Sequence, residues 1–328
     1  MRRTRLVVAW YLKHHYGTSE DPGTRPMYYD RQRVGHLAVT PADLGQGSPA
    51  ALFKVLIATA MFQRLRDALV MRLLRELPAR TAREIGSMHR LAALSEASSC
   101  PHLKSNEALL TSCDLSKHPE TKRGTCGEYP ELPCHLKKHT EALRRYGHFG
   151  KVPTSAALAL RDGGQRSLPQ LYERTVASSH SAKEAAVALE RALSRSWRVS
   201  QKIASMFLSA VANPDLGDSN APWSAGVDWN HFVVIDSNVA LYLETVGYQG
   251  ARTYDARREF VQALASRIDL ETMLPGLCST NARLVQQALY LFMSQSNRKS
   301  LPYDCCQRQE WACPTCPSEL RIMCSLRK

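Results

Sequence analysis

Two neighbouring stretches decide the reading: Ser196–Val211, SWRVSQKIASMFLSAV, and Val233–Gly247, VVIDSNVALYLETVG. In the first, Lys202 opens a pattern in which Ile203, Met206, Phe207 and Val211 recur at helical spacing. In the second, the apolar run Phe232–Ile235 ends on Asp236, directly before another helical pattern. Upstream, Ser181-x-x-Glu184 is a capping-box signature. The segment after it, AKEAAVALERAL, carries Ala186, Leu189 and Leu193 on one face, so the turn Ser194–Ser200 joins two helices. An Asp before a helix is ordinarily an N-cap, and a Lys at a helix start is ordinarily solvated.

The pair resembles the catalytic pair of the helix-hairpin-helix DNA glycosylases, the endonuclease III superfamily. There a G-x-G-x-K-type hairpin leads into a helix, and the reactive Asp follows in a V-D-T-H-V-like segment that caps the next helix. By position Lys202 matches the family's lysine, Ala204 the small residue two on, and Asp236 the aspartate. Arg198-Val199-Ser200 stand where the family has its hairpin glycines. A second element of the resemblance lies at Cys306, Cys313, Cys316 and Cys324, spaced C-x6-C-x2-C-x7-C. The family's iron–sulfur members carry C-x6-C-x2-C-x5-C at the same C-terminal place, and the six-residue spacer selects Cys306 over its neighbour Cys305. Four clustered thiols suit a cubane cluster or tetrahedral zinc, and the resemblance implies a [4Fe–4S] cluster.

The resemblance implies an all-α fold of two helical domains with a DNA-binding cleft between them. The first is a six-helix barrel with the hairpin, residues 48–202, interrupted by a cysteine-bearing insertion at about 85–140. The second is formed by 1–47 and 203–328, with the C-terminal cluster. The implied function is a DNA glycosylase of base excision, acting on double-stranded DNA that holds a damaged or modified base, with an associated lyase step. A departing base leaves oxocarbenium character on the sugar, which Asp236 would stabilise. Lys202 would attack the sugar C1′ and form a Schiff base once its pKa is lowered. Two alternatives stay open, a monofunctional glycosylase in which Asp236 activates water and a non-catalytic DNA-binding protein on the same scaffold. Arg195, Arg198 and Ser200 are candidates for phosphate contact at the hairpin, where the family uses backbone amides. Gln63 is the nearest match to a glutamine near the family's lesion pocket, with an exposed helix residue as the plain alternative. Trp223 and Trp229, in the long loop Asn213–Asn230, are candidates for stacking on an extruded base, or for packing beneath the loop.

Composition agrees with such a chain without specifying it. The 328 residues suffice for two domains, and a hydrophobic fraction of 44% excludes a disordered chain. Lys+Arg 43 against Asp+Glu 30 gives a net charge of +13, which favours a polyanionic partner. Ten cysteines behind an N-terminus with no cleavage pattern point to a reducing compartment and to metal ligation. No apolar run reaches the roughly 20 residues of a membrane span. A monomer is expected, in the cytoplasm at the nucleoid if the cell is bacterial or archaeal.

Elsewhere, residues 17–47 read as a linker or irregular wrap, and Ser48-Pro49 as a helix start. Leu52, Val55, Leu56, Ala60, Leu65, Leu69, Leu73 and Leu77 then predict one or two amphipathic helices. Further helices are expected over 257–268 and 282–293, and no strand pairing. The insertion carries Cys100, Cys113, Cys126 and Cys134 among polar turns with His102, His118 and His135. Their spacing fits no common zinc pattern, so zinc, a second cluster or no metal all stay open there.

Overall fold

Ser181 and Asn281 each cap a helix in the computed structural model, which describes residues 1–18, 27–63, 67–121, 123–143, 150–216, 221–295, 316 and 318–324. Two compact units emerge, one formed by Met1–Pro26, Asn213–Ser219 and Trp229–Lys328, the other by Met27–Ala212 and Asn220–Asp228. We call them unit 1 and unit 2. Helix α1 (Arg2–His14) opens unit 1. Unit 2 runs through α2 (Arg31–Val34), α3 (Pro41–Gly45), α4 (Pro49–Met61), α5 (Asp67–Arg75), α6 (Ala79–Ile85), α7 (Met88–Ala97), α8 (Asn106–Thr111), α9 (His135–Leu143), α10 (Lys151–Asp162), α11 (Leu168–Ser178), α12 (Ala182–Leu193) and α13 (Gln201–Ala212). Unit 1 resumes with α14 (Ser237–Thr245), α15 (Tyr254–Ala265), α16 (Ala282–Met293) and α17 (Ser318–Met323). The protein is thus mostly helical. No helix among the described residues is long and apolar enough to cross a membrane.

The boundaries at 26/27 and 212/213 differ from those the sequence suggests, 47/48 and 202/203. One reason is that α13 runs unbroken from Gln201 to Ala212, with Ile203, Phe207, Leu208 and Val211 all buried in one helix. The other is that residues 27–47 are ordered. Asp30 caps α2 by accepting from Gln32 N, Thr40 caps α3 by accepting from Asp43 N, and α2 packs on α5. Gly35, at φ +58, turns between them against the Leu74 carbonyl, where a side chain has no room.

In unit 2, α4 begins at Pro49 as expected, although the Ser48 side chain makes no capping hydrogen bond. The helix is not amphipathic: from Ala51 to Met61 every residue except Lys54 is buried. It packs on α10, α11 and α13, and each fully buried leucine or isoleucine along it contributes about 1.5–3 kcal/mol. The second half of the expected helical stretch is α5. The insertion is part of the fold, because α10 packs along α7, α8 and α9. It also holds one short antiparallel ladder, Ser116 opposite Thr125 and Lys117 opposite Gly124, where the sequence predicts no strand pairing.

The α9–α6 contact places His139, fully buried, with Nε2 3.4 Å from Glu84 Oε2. Burial holds the His139 pKa below its ordinary 6.5, outweighing the carboxylate. The unfolded chain therefore binds a proton that the folded chain refuses, and stability drops as pH falls through about 6.5. Denaturant unfolding at a series of pH values should show this loss, and His139→Gln should make it shallower.

Unit 1 is organised on α16, whose two faces are almost wholly buried against α1, α14 and α15. Tyr242 of α14 donates to Thr4 of α1 at 3.1 Å, and burial pushes its hydroxyl pKa up to about 12. The cap of α16 lies in a buried amide network. Asn213 and Asn281 exchange two side-chain hydrogen bonds of 2.9 Å, while Asn281 Oδ1 accepts from Leu284 N and its Nδ2 donates to Asp215.

Candidate functional site

The hairpin of unit 2 is made by backbone hydrogen bonds closed over a few residues. Ser196 N donates to Leu193 O, Val199 N to Ser196 O, and Ala204 N to Ser200 O, which starts α13. Arg198 takes φ 62, and among the described residues it is the one non-glycine with a positive φ. This is the left-handed conformation that glycine adopts freely and that costs another residue roughly 1–2 kcal/mol. The turn therefore keeps a glycine-type backbone at the first position of the G-x-G-x-K pattern, although an arginine stands there.

Three side chains hold this turn from within unit 2. Gln63 Nε2 donates to Arg198 O at 2.9 Å and to Ala60 O at 2.6 Å. Ser155 Oγ, on α10, accepts from Trp197 N at 2.7 Å and donates to Asn106 Oδ1 at 2.6 Å. Asn106 Nδ2 in turn donates to Arg195 O at 3.0 Å. Gln63 thus divides its amide donation between the hairpin carbonyl of Arg198 and the end of α4, and Asn106 and Ser155 are bracing residues that nothing local in the sequence marks. Arg195 and Ser200 are exposed, and Arg198 is half-buried with its guanidinium carbon 5.5 Å from the Trp197 ring. Lys202 is half-buried in the first turn of α13.

Asp236, in unit 1, is half-exposed and caps α14, its Oδ1 accepting from Val239 N at 2.9 Å. Oδ2 accepts from Asn238 Nδ2 at 3.3 Å. The extended run before it is buried from Phe232 to Ile235 and is pinned by Tyr254, whose hydroxyl donates to Val233 O at 2.8 Å. Trp223 is 2% exposed, stacked on Tyr172 at 5.0 Å and edge-on to Phe207 at 5.7 Å. It is a core side chain of unit 2 here, which is the packing reading. Trp229, half-buried, begins a 3-10 turn in unit 1.

Of the C-terminal cysteines, Cys306 and Cys313 lie outside the described residues. Cys316 and Cys324, on either side of α17, pack against the core of unit 1. The insertion cysteines are all described. Cys100, Cys113, Cys126 and Cys134 are unbridged and line one narrow cavity of about 20 Å³, partly open to solvent, together with His102, Tyr129, Lys137 and four leucines. Burial raises the pKa of the Cys113 and Cys134 thiols, and the nearby Cys100 sulfur adds to both. His102 Nε2 lies 2.7 Å from Glu128 Oε2. Among the described residues, no three His, Cys, Asp or Glu side chains are grouped so as to hold a single metal ion. No family model, curated protein or solved structure matches the chain, so any reading of these sites stands on their own residues and geometry.

Proposed function

We propose that the protein is a DNA glycosylase, with Lys202 as the nucleophile on the sugar and Asp236 as the carboxylate that stabilises its oxocarbenium character. The observation that carries this reading is the hairpin. Its backbone is left-handed at Arg198, it is braced by Gln63, Ser155 and Asn106, and Lys202 follows in the first turn of the next helix. Such a turn offers backbone amides to a phosphate, and Arg195 and Arg198 add charge. Lys202 then acts on C1′, Asp236 on the developing positive charge, and β-elimination follows from the Schiff base. Cys306, Cys313, Cys316 and Cys324 are the residues that would hold a [4Fe–4S] cluster through their thiolates. The partner is duplex DNA with a damaged or modified base, bound by a monomer in the cytoplasm.

Borohydride tests the assignment of Lys202. Reduction of the imine leaves a stable amine, so wild-type protein should be trapped covalently on a duplex from which it removes the base. Lys202→Ala should lose the trap and the strand break. Base release retained in full by Lys202→Ala would replace the lyase by the monofunctional water mechanism.

DNA affinity should fall with salt at a slope of roughly −0.9 per phosphate contacted. Arg198→Ala should lower the magnitude of that slope by about one contact and leave base preference unchanged. A slope near zero for the wild type, measured by fluorescence anisotropy, would rule out phosphate tracking.

A further inference from the structure

We propose that Cys113 and Cys100, in unit 2, are a peroxide-sensitive thiol pair that closes to a disulfide and thereby stiffens the hairpin. The proposal stands on unit 2 alone and does not depend on the glycosylase reading.

Cys100 precedes the 3-10 turn Pro101–Leu103 and Cys113 follows α8, so turn and helix lie between them. Both are unbridged, and both line the narrow cavity, whose volume of about 20 Å³ is room for about one water. Both also pack in the small core built on Leu103, Leu109, Leu115, Leu136 and Leu158. A void that small inside one packed cluster leaves the two sulfurs little distance to travel. The other thiols of the cavity are placed differently. The Cys126 thiol donates to Asp114 Oδ1 at 2.7 Å and its sulfur accepts from Tyr129 N at 3.4 Å. Cys134 precedes α9, where the Lys137 ammonium is held by the carbonyls of Tyr129, Pro130 and Leu132.

Exposure and charge assign the two roles. Cys113 is half-buried on a cavity partly open to solvent, whereas Cys100 is 6% exposed. Cys113 is therefore the thiol that meets the oxidant, and Cys100 the one shielded from it until needed. Burial raises the Cys113 pKa, and the Lys151 ammonium pulls against that rise. Lys151 is itself buried, donates to the Cys113 carbonyl and lies 4.9 Å from the Trp197 ring. The thiolate is scarce on balance, so the pair answers slowly and to peroxide in excess.

The Cys113 thiolate attacks one oxygen of hydrogen peroxide, the O–O bond breaks, and hydroxide leaves with the proton that the thiol released, as water. Cys113 is then a sulfenic acid. The Cys100 sulfur attacks it, the S–S bond forms, the S–O bond breaks, and hydroxide leaves with the Cys100 proton as a second water. Two thiols have lost two electrons and two protons, and one peroxide has become two waters. An opening of this size admits peroxide and keeps out a bulky oxidant such as oxidised glutathione.

The consequence reaches the hairpin through α8. Asn106, in its first turn, donates to Arg195 O at 3.0 Å and accepts from Ser155, which in turn accepts from Trp197 N. A bond between Cys100 and Cys113 closes a loop around α8, so the local opening that would release Arg195 O has fewer conformations to gain. The oxidised hairpin is the better protected one.

The experiment uses the full wild-type chain, reduced, freed of reductant and treated with excess hydrogen peroxide. Remaining thiols are alkylated, trypsin cuts after Lys104 between the two cysteines, and the peptides are weighed without reductant. Leu91–Lys104 should be joined to Ser105–Lys117, the link should vanish with dithiothreitol, and oxidised glutathione in place of peroxide should leave both cysteines alkylated. In Cys100→Ser, dimedone should label Cys113 as a sulfenic acid. Amide exchange at Arg195–Val199 should be slower in the oxidised chain than in the reduced one. Both cysteines alkylated after peroxide, or Cys113 joined to another cysteine, would overturn the pair, and that reading needs no variant to fold. A link made as fast by oxidised glutathione would overturn the narrow entrance. A link with unchanged exchange would overturn the stiffening. Base release bears on none of these arms, so the glycosylase reading can fail separately.

Discussion

Asp236→Asn should slow base release by about 10²–10³-fold, the loss typical of removing one electrostatic partner of a transition state. The substitution is close to isosteric, and asparagine caps helices as well as aspartate does. Its oxygen can still accept from Val239 N, so α14 should keep its start and the buried run behind it should keep its place. What disappears is the negative charge, which acts on a sugar that becomes positive only as the base leaves. DNA affinity should therefore stay within about twofold of wild type, since ground-state binding does not use that charge. Single-turnover base release with saturating enzyme separates the two effects. A fall of less than tenfold would remove Asp236 from the chemistry and return it to the role of a plain cap.

Asn281→Ala should destabilise unit 1 by about 2–4 kcal/mol. Two losses coincide, the cap on α16, worth about 1 kcal/mol, and the partner of Asn213, whose buried amide then costs about 1–3 kcal/mol unsatisfied. Both asparagines have 0% exposure, so water does not replace the missing bonds. Asn213→Ala leaves the cap of α16 intact and should cost less. The double variant should be less destabilised than the sum of the two, because removing both partners leaves no orphan between them. Denaturant unfolding followed by a probe in unit 1 measures this, and a loss below about 1 kcal/mol for Asn281→Ala would contradict the network.

How much of this was legible depends on which residues carry the signal. Helix α16 coincides with the expected 282–293, because its apolar periodicity is long and its cap is an asparagine. Helix α12 was legible for the same reason, although its Glu184 carboxylate turns back to His180 N rather than to the Ser181 amide. Residues 27–47 read as a wrap because α2 and α3 are too short to show a helical period, and their order comes from packing on α4 and α5. The left-handed turn at Arg198 was illegible, since sequence announces that conformation through glycine or asparagine. Its cause is tertiary: Gln63 and Ser155 fix the peptide groups on either side. The thiol cavity was half legible. Four cysteines in polar turns invite a metal, but their convergence needs α8, the ladder and α9 laid together over α10. Trp223 in a loop next to a candidate site invites a stacking role, and only Tyr172, from α11, shows that its ring is already stacked.

The central claim is that this chain removes a base from DNA, and the most direct measurement is the free base itself. Duplexes carrying oxidised pyrimidines, oxidised guanine, mismatches or alkylated bases are incubated with excess anaerobically purified protein, and released bases are identified by mass spectrometry. The account predicts one class of free base, a strand break at the abasic site opposite an intact strand, and a slowing of both by about 10²–10³-fold in Asp236→Asn. Tight, salt-dependent binding to every duplex with no base released from any of them would contradict it and leave a DNA-binding protein in its place.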